Sequence, residues 1–172
     1  MKNILFAFSL LLVLGCQSSN VNNGVPNLAR LSPGVWRGGQ PTAEGWQYLR
    51  GQGVTNVIKL NEGSDAYATN LGMTLIEWPI NLKQQLGLQR LDHNYVWVSG
   101  QLRDCTNRGF DQGLFIHCEH GQDRAGLVVA QYRMFVQGWS KPEAEKEMLA
   151  HGFHKGLVGL WHYWKTLKPI NP

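Results

Sequence analysis

The feature that most constrains the fold of this chain is a short apolar run that ends directly on a polar loop. Residues 113–117 read GLFIH, and residues 118–124 read CEHGQDR. An apolar run of this length is typical of a buried strand, and a helical pattern begins at Ala125. The sequence therefore predicts a strand, a tight loop and a helix, the unit from which parallel sheets are built.

The rest of the chain repeats this alternation. The runs VTNVIKL (54–60) and MTLIEW (73–78) are predicted as buried strands, and residues 35–37 as a short extended piece. Helices are predicted from the N-cap Thr42 through Leu49, over 91–102, over 125–136, from the capping-box residue Ser140, and over 157–167. The expected fold class is α/β, with a central, mostly parallel sheet flanked by helices and a ligand site at the carboxyl ends of the strands.

Charge and composition exclude some function classes. The chain has 172 residues, 43% of them hydrophobic, and a formal net charge of +4. That content of apolar residues supports one buried core, and the basic residues are scattered along the chain without a long run. So mild a charge is not the footprint of a nucleic-acid-binding protein, and no nucleic-acid partner is expected.

The N-terminus has the pattern of a targeting segment. Lys2 precedes an apolar run at 4–14 that is too short to span a bilayer, which indicates a signal peptide over residues 1–15. The ending Val-Leu-Gly-Cys16 resembles a bacterial lipoprotein signal, so lipidation of Cys16 is expected, with cleavage as an ordinary signal peptide as the alternative. We expect a tether over 16–27, a domain over 28–172, an exported periplasmic protein, and membrane contact only through the anchor.

The loop between Cys118 and Arg124 has the composition of a phosphate-binding nucleophile site. Successive backbone N–H groups and the N-terminus of the following helix can bind phosphoryl oxygens, and Gly121 permits the tight turn. The same dipoles and the Arg124 cation favour a thiolate, so Cys118 is the predicted nucleophile. Arg124 can hold two phosphoryl oxygens through its planar fork. His117 is expected to support the loop by hydrogen bonding.

The residues inside the loop are expected to meet the substrate. Glu119, His120, Gly121 and Gln122 lie between the nucleophile and the arginine, at the rim of the predicted site. His120 could contact an additional phosphate when it is protonated. The alternative is that Glu119 and His120 are simply exposed surface residues.

The nucleophile loop and two other segments carry a family resemblance. The segment HCEHGQDR resembles the His-Cys-x5-Arg signature of the protein tyrosine and dual-specificity phosphatases. The segments WRGGQP (36–41) and NVIKLN (56–61) resemble the opening of the atypical dual-specificity phosphatases of plants and fungi, and the likeness covers about residues 28–165. It implies a compact α/β phosphatase fold, no metal or cofactor, and a phosphocysteine intermediate.

The resemblance also implies the class of substrate. Members act on phosphotyrosine proteins, inositol polyphosphates or inositol pyrophosphates. For an exported protein, inositol polyphosphates are the expected substrate, and a phosphoprotein is the alternative partner. A phosphate-binding pseudophosphatase is the third possibility, because Ala125 stands where the family has a Ser or Thr that assists hydrolysis of the phosphoenzyme.

The usual proton donor of the family is missing from its usual position. Trp78-Pro79 resembles the start of the loop that supplies an aspartic acid in many relatives, but Ile80 and Asn81 follow. Asp123 is the predicted general acid, because some inositide phosphatases with this signature carry Asp just before the Arg. Asp92 is the rival, with an ordinary role in the first turn of a helix as its alternative.

Overall fold

Five short strands form a single mixed sheet. In chain order they are β1 (Ala29–Ser32), β2 (Val35–Gly38), β3 (Asn56–Lys59), β4 (Thr74–Glu77) and β5 (Leu114–His117). Their order across the sheet is β1-β2-β5-β3-β4; β1 pairs with β2 in antiparallel fashion and every other pair is parallel. The predicted mostly parallel sheet is therefore confirmed, with β5 at its centre.

The structure, a computed structural model, describes residues 23–91 and 113–168. Several predictions lie outside these residues. They concern the signal peptide, Cys16, most of the tether, Asp92 and nearly all of the helix over 91–102. The described helices are α1 (Ala43–Gly51), α2 (Ala66–Asn70), α3 (Leu82–Gln85), α4 (Asp123–Phe135), α5 (Lys141–Ala150) and α6 (Val158–Thr166). None of these helices is long and apolar enough to cross a bilayer.

Side chains of the central strands point alternately to the two faces of the sheet, and both faces are buried. Ile58 and Ile116 pack with α4 on one face, whereas Val57 and Phe115 pack with α1 and the region of α2 on the other. Because successive side chains of a strand point to opposite faces, a strand covered on both sides must be apolar at nearly every position. Helices α5 and α6 complete the layer on the α4 side, around the fully buried Trp164.

The helix starts follow the predicted capping chemistry. The Thr42 side chain accepts a hydrogen bond from the backbone N–H of Gly45, and Ser140 forms a reciprocal capping box with Glu143. Helices α2 and α3 were not predicted, since they are only 5 and 4 residues long. The edge strand β1 was also missed, because its sequence ARLS lacks an apolar run.

The packed region begins before residue 28, inside the segment predicted as a tether. Val25 is buried against α1, and the Pro26 carbonyl accepts a hydrogen bond from Gly39 N–H at 2.6 Å. Asn27 has a positive φ of 49°. These residues are ordered against the end of β2, where they contribute to the site described next.

Candidate active site

The predicted nucleophile lies at the carboxyl edge of the sheet, in its middle. Cys118 directly follows β5, and its neighbours across the sheet follow Gly38 on β2 and Lys59 on β3. The thiol is 2% exposed, and α4 begins five residues later at Asp123, with Gln122 as its N-cap residue. A strand end and a helix N-terminus thus enclose the loop, as an anion site of this kind requires.

Three consecutive backbone carbonyls of the loop accept hydrogen bonds from residues outside the loop. Glu119 O accepts from the backbone N–H of Gln40 at 2.9 Å, and His120 O accepts from the Asn27 side chain at 2.7 Å. Gly121 O accepts from Arg37 Nη2 at 2.8 Å. In a trans peptide the N–H points opposite to the C=O, so anchoring these carbonyls outside the ring directs the following N–H groups toward its interior. That is the geometry of a phosphate nest.

Close packing explains two glycines of this region. Gly121 has φ of 73°, and a Cβ there would lie 2.5 Å from the backbone of Gly38 and Gly39. A Cβ on Gly39 would lie 3.0 Å from Glu119 O. The loop and the end of β2 therefore approach backbone to backbone, which only glycine allows.

A buried polar chain lies beside the nucleophile. His117 and Asp65 have fully buried side chains, with 3.0 Å between Nε2 and Oδ2. Gln40 Nε2 donates to Asp65 Oδ1 at 2.7 Å, and Asn61 Nδ2 donates to Gln40 Oε1 at 2.9 Å. Asn61 also approaches a carboxylate oxygen of Glu119 at 3.4 Å. These side chains link the strand that carries the nucleophile to the rim, with His117 at one end and Glu119 at the other.

Asp65 is held in its ionised form. Burial opposes ionisation, but the contact with His117, the hydrogen bond from Gln40 and the charge of Lys59 together lower the pKa of Asp65. Lys59 is buried too, and its ammonium donates to the carbonyls of Asn61 and Gly63. A carboxyl whose pKa is lowered by folding stabilises the fold above its unfolded-state pKa, and that contribution is lost as the pH falls through the folded-state value.

Asp65→Asn should therefore lower the free energy of unfolding at pH 7 by about 3 kcal/mol, because it removes one partner of a buried pair. The difference from the wild type should shrink as the pH falls below the ordinary carboxyl pKa toward pH 3, because the unfolded wild-type chain then binds a proton that the folded protein resists. Urea unfolding at both pH values measures this. Glu62→Gln, which neutralises an exposed carboxylate nearby in the sequence, is the control and should change little. An equal loss at pH 7 and pH 3 would contradict an ionised Asp65.

Arg124 belongs to the first turn of α4 and is partly buried. Its Nη1 lies 3.5 Å from Leu60 O and 3.4 Å from Ile80 O, two carbonyls that follow β3 and β4. These long contacts are weak, so the guanidinium is free to exchange them for stronger bonds to an anion. The predicted cation is thus at the same sheet edge as Cys118.

Asp123 is held by another part of the chain. Its Oδ1 accepts a hydrogen bond from the backbone N–H of His154 at 2.7 Å, and both carboxylate oxygens lie 3.1 Å from His154 Nδ1. A Cβ on Gly152 would lie 2.8 Å from Gln122 Nε2, so the segment between α5 and α6 packs directly on the loop. Nothing in the sequence places His154 beside the site, because the contact spans 31 positions.

The remaining residues singled out from the sequence differ in their exposure. Glu119 and His120 are exposed, Gln122 is partly buried, and Ala125 is fully buried under the loop. Sequence reasoning missed Arg37, Asp65 and Asn27 as contributors. The one available signal was a charged residue within an apolar strand, as with Arg37 in VWRG and Lys59 in NVIK.

Comparisons with known proteins agree with this geometry. A family model described as a dual-specificity-type protein tyrosine phosphatase domain fused to NAD+ kinase matches residues 28–157, which is most of the chain. The chain belongs to the dual-specificity phosphatase family. It is 32% identical over 129 residues, 74% of its length, to the dual specificity protein phosphatase TpbA of Pseudomonas aeruginosa strain UCBPP-PA14. It spans 55% of that relative, about half its length.

Solved structures show the same phosphatase fold. The crystal structure of Pseudomonas aeruginosa TpbA superposes with a TM-score of 0.67 at 23% identity, covering 87% of this chain and 94% of that one. The catalytic core of Siw14, an inositol pyrophosphate (PP-IP) phosphatase from Saccharomyces cerevisiae, gives a TM-score of 0.65 at 17% identity, with 84% and 87% coverage. The dual-specificity-phosphatase-like fold expected from the signature is thereby confirmed.

Proposed function

We propose that this chain hydrolyses phosphomonoesters through a phosphocysteine intermediate. The observation that carries the proposal is the position of Cys118, at the end of the central strand inside a loop whose carbonyls are anchored outward and whose last residue is Arg124. The loop amides bind the phosphoryl oxygens, the thiolate attacks phosphorus, and the leaving group departs with a proton. Water then breaks the S–P bond and releases phosphate.

Of the two candidates for the proton donor, Asp123 lies among the described residues. A donor must face the leaving group, whereas both carboxylate oxygens of Asp123 are already engaged by the backbone N–H and the imidazole of His154. This geometry favours a clamp, in which Asp123 fixes the start of α4 to the segment between α5 and α6. It leaves Asp92, of the two, as the better candidate for the donor.

Asp123→Asn tests this directly. A clamp should lower turnover of nitrophenyl phosphate and of an alkyl phosphate such as glycerol phosphate by the same factor, because both need the same loop. A donor should instead show a selective loss of roughly 10²-fold on the alkyl substrate, since an alkoxide leaves poorly without a proton. We expect equal losses for Asp123→Asn and the selective loss for Asp92→Asn. The reverse pattern would make Asp123 the general acid.

The charge of the rim bears on the substrate class. Between Cys118 and Arg124 the loop carries two carboxylates, Glu119 and Asp123, and neither Lys nor Arg. Glu119 is exposed at the mouth, where it repels additional phosphates on a substrate. Phosphotyrosine carries one phosphate, whereas an inositol polyphosphate carries several. We therefore place aryl monoesters of the phosphotyrosine type ahead of inositol polyphosphates, the class expected from the sequence.

The relatives include examples of both substrate classes. The curated relative is named a dual specificity protein phosphatase, and a structure of TpbA contains phosphotyrosine. Siw14 is described as a phosphatase of inositol pyrophosphates. The inositol class thus remains the second candidate, with a likeness of fold as its support.

A panel of substrates distinguishes the phosphotyrosine hypothesis from the inositol polyphosphate hypothesis. The wild type should release phosphate from a phosphotyrosine peptide with a higher kcat/KM than from inositol hexakisphosphate. Glu119→Lys should raise kcat/KM for inositol hexakisphosphate by about tenfold and change nitrophenyl phosphate hydrolysis little, and the gain should shrink at high ionic strength. A wild-type preference for the inositol substrate would overturn the substrate class alone. If the wild type releases phosphate from none of the three substrates (phosphotyrosine peptide, inositol hexakisphosphate and nitrophenyl phosphate), the proposed phosphatase activity is wrong.

A further inference from the structure

The three hydrogen bonds that anchor the phosphate loop come from different depths of the protein. Glu119 O is bound by a backbone N–H, and Gly121 O is bound by Arg37, whose side chain is fully buried. His120 O is bound at 2.7 Å by the side chain of Asn27, an exposed residue that precedes β1. Of the three anchors, the bond from Asn27 is therefore the one that a substitution can remove without disturbing the buried core.

The peptide unit between His120 and Gly121 is able to rotate. Rotation of a peptide plane changes ψ of the residue before it and φ of the residue after it, and leaves the neighbouring units in place. Gly121 has φ of 73°, and a glycine adopts positive and negative φ about equally well. The anchors on Glu119 O and Gly121 O fix the two flanking peptide units. The orientation of the unit between them therefore depends on the bond from Asn27.

The orientation of this peptide unit decides how it acts on an anion. While His120 O points to Asn27, the N–H of Gly121 points the opposite way, into the loop, because the two groups of a trans peptide are antiparallel. Among the hydrogen bonds of the described residues, none has the N–H of Gly121 as its donor. That N–H can therefore bind a phosphoryl oxygen. In a rotated unit the carbonyl would point inward instead and repel the phosphoryl group.

Asn27 is itself held in a fixed position. Its φ of 49° lies in the left-handed region, which asparagine adopts more readily than most residues other than glycine. The residues before it are bound to the start of α1 and the end of β2: Gly24 O accepts from the N–H of Thr42 at 2.8 Å, and Pro26 O accepts from the N–H of Gly39 at 2.6 Å. The amide of Asn27 is thus presented to the loop by an ordered piece of backbone.

We propose that Asn27 is a positioning residue of the phosphate loop, whose amide holds the His120–Gly121 peptide unit with its N–H toward the phosphoryl group. This inference rests on the proposed phosphatase function, in which the loop amides bind the phosphoryl oxygens. It gives the segment before β1 a task in catalysis, although that segment lies outside the His-Cys-x5-Arg signature. Asn27 acts through the loop backbone.

Asn27→Gly tests the proposal, because glycine removes the amide and still adopts a positive φ. If the peptide unit is then rotated in about nine molecules of ten, binding to the remaining tenth raises every apparent dissociation constant about tenfold. We expect KM for nitrophenyl phosphate and Kd for inorganic phosphate, measured by calorimetry, both to rise about tenfold. The kcat at saturating substrate should change little. The urea unfolding midpoint should stay near that of the wild type, because the lost bond is exposed.

Asn27→Asp adds a readout that depends on pH. The introduced carboxylate has the size of the amide but no hydrogen to donate, so it opposes His120 O at pH 7. When protonated, it can donate its O–H to the same carbonyl. The ratio of wild-type to variant kcat/KM should therefore be large at pH 7 and shrink as the pH falls toward 4, near the ordinary carboxyl pKa. Asn70→Gly, which removes an exposed amide at the end of α2, is the control and should leave KM and Kd unchanged.

Each outcome supports the role of Asn27 or overturns it. Wild-type KM and phosphate Kd in a folded Asn27→Gly variant would overturn it, as would equal changes in Asn70→Gly. A lower kcat at unchanged KM would also overturn it, because that pattern indicates loss of folded protein. If Asn27→Gly does not fold, a kcat/KM ratio for Asn27→Asp that stays constant with pH would decide against the role.

The phosphatase proposal is judged separately from the role of Asn27. A wild type that binds inorganic phosphate but hydrolyses no monoester would contradict the phosphatase proposal. The phosphate Kd of the variants would still test Asn27 in that case, because binding requires the loop geometry and not turnover.

Discussion

Cys118→Ser should abolish turnover while leaving phosphate binding intact. Serine preserves the size of the side chain, but its hydroxyl is not ionised near neutral pH and is a far weaker nucleophile than a thiolate. Nitrophenyl phosphate hydrolysis should fall by roughly 10⁴-fold or more, as expected when the attacking group itself is removed. Calorimetric titration with inorganic phosphate or tungstate should still detect binding.

The reason for expecting binding to persist lies in the backbone. The carbonyls of residues 119–121 are anchored by Gln40, Asn27 and Arg37, and none of these contacts involves the thiol. The ring should therefore keep its shape in the serine variant. Normal turnover in Cys118→Ser would exclude a phosphocysteine, whereas loss of both turnover and binding would show that the thiolate also helps to hold the loop.

The same measurement addresses the pseudophosphatase alternative. Ala125, where relatives have a hydroxyl, is fully buried directly after the loop. If hydrolysis of the intermediate were blocked, the wild type would release one equivalent of nitrophenol and then stop. We expect continued turnover, because water can still attack the phosphoryl group held by the loop amides and Arg124.

The strand, loop and helix around Cys118 could be predicted because all of their determinants are local. An apolar run defines β5, a glycine allows the turn, and helical spacing defines α4. The parallel sheet followed from the same alternation. The short helices α2 and α3 could not be found in this way, since each is too short to establish a period.

The supporting contacts could not be predicted, because they join distant parts of the chain. Arg37 and Gly121 are 84 positions apart, and Asn27 and His120 are 93 apart. The sequence shows that a charged side chain interrupts an apolar strand, but the partner of that side chain depends on the order of the strands. Placement of β2 beside β5 is what brings Arg37 beneath the loop.

The same limit applies to Asp123. Its position next to the arginine predicts a proton donor, and only the tertiary fold brings His154 against its carboxylate. There both carboxylate oxygens of Asp123 are engaged by His154. The type and spacing of residues therefore indicate which chemistry a loop can perform, whereas the assignment of each task depends on what packs behind it.

Arg124→Lys should lose most of the activity even though the positive charge remains. The guanidinium offers a planar fork that can bind two phosphoryl oxygens together, and its present contacts with Leu60 O and Ile80 O are long enough to be exchanged readily. The ammonium of lysine is a point charge on a shorter side chain. Removal of one group that stabilises the charge of a transition state costs about 10²- to 10³-fold in kcat.

The comparison with a neutral variant separates geometry from charge. If bidentate binding is what matters, Arg124→Lys and Arg124→Met should fall in kcat by factors within about tenfold of each other, because both lack the fork. If a cation alone suffices, the lysine variant should stay near the wild type and only the methionine variant should fail. Single-turnover kinetics with nitrophenyl phosphate decide between these two outcomes. Because nitrophenolate leaves readily without a proton, the measured rate does not depend on the proton donor. The rate then reports how well residue 124 holds the phosphoryl group.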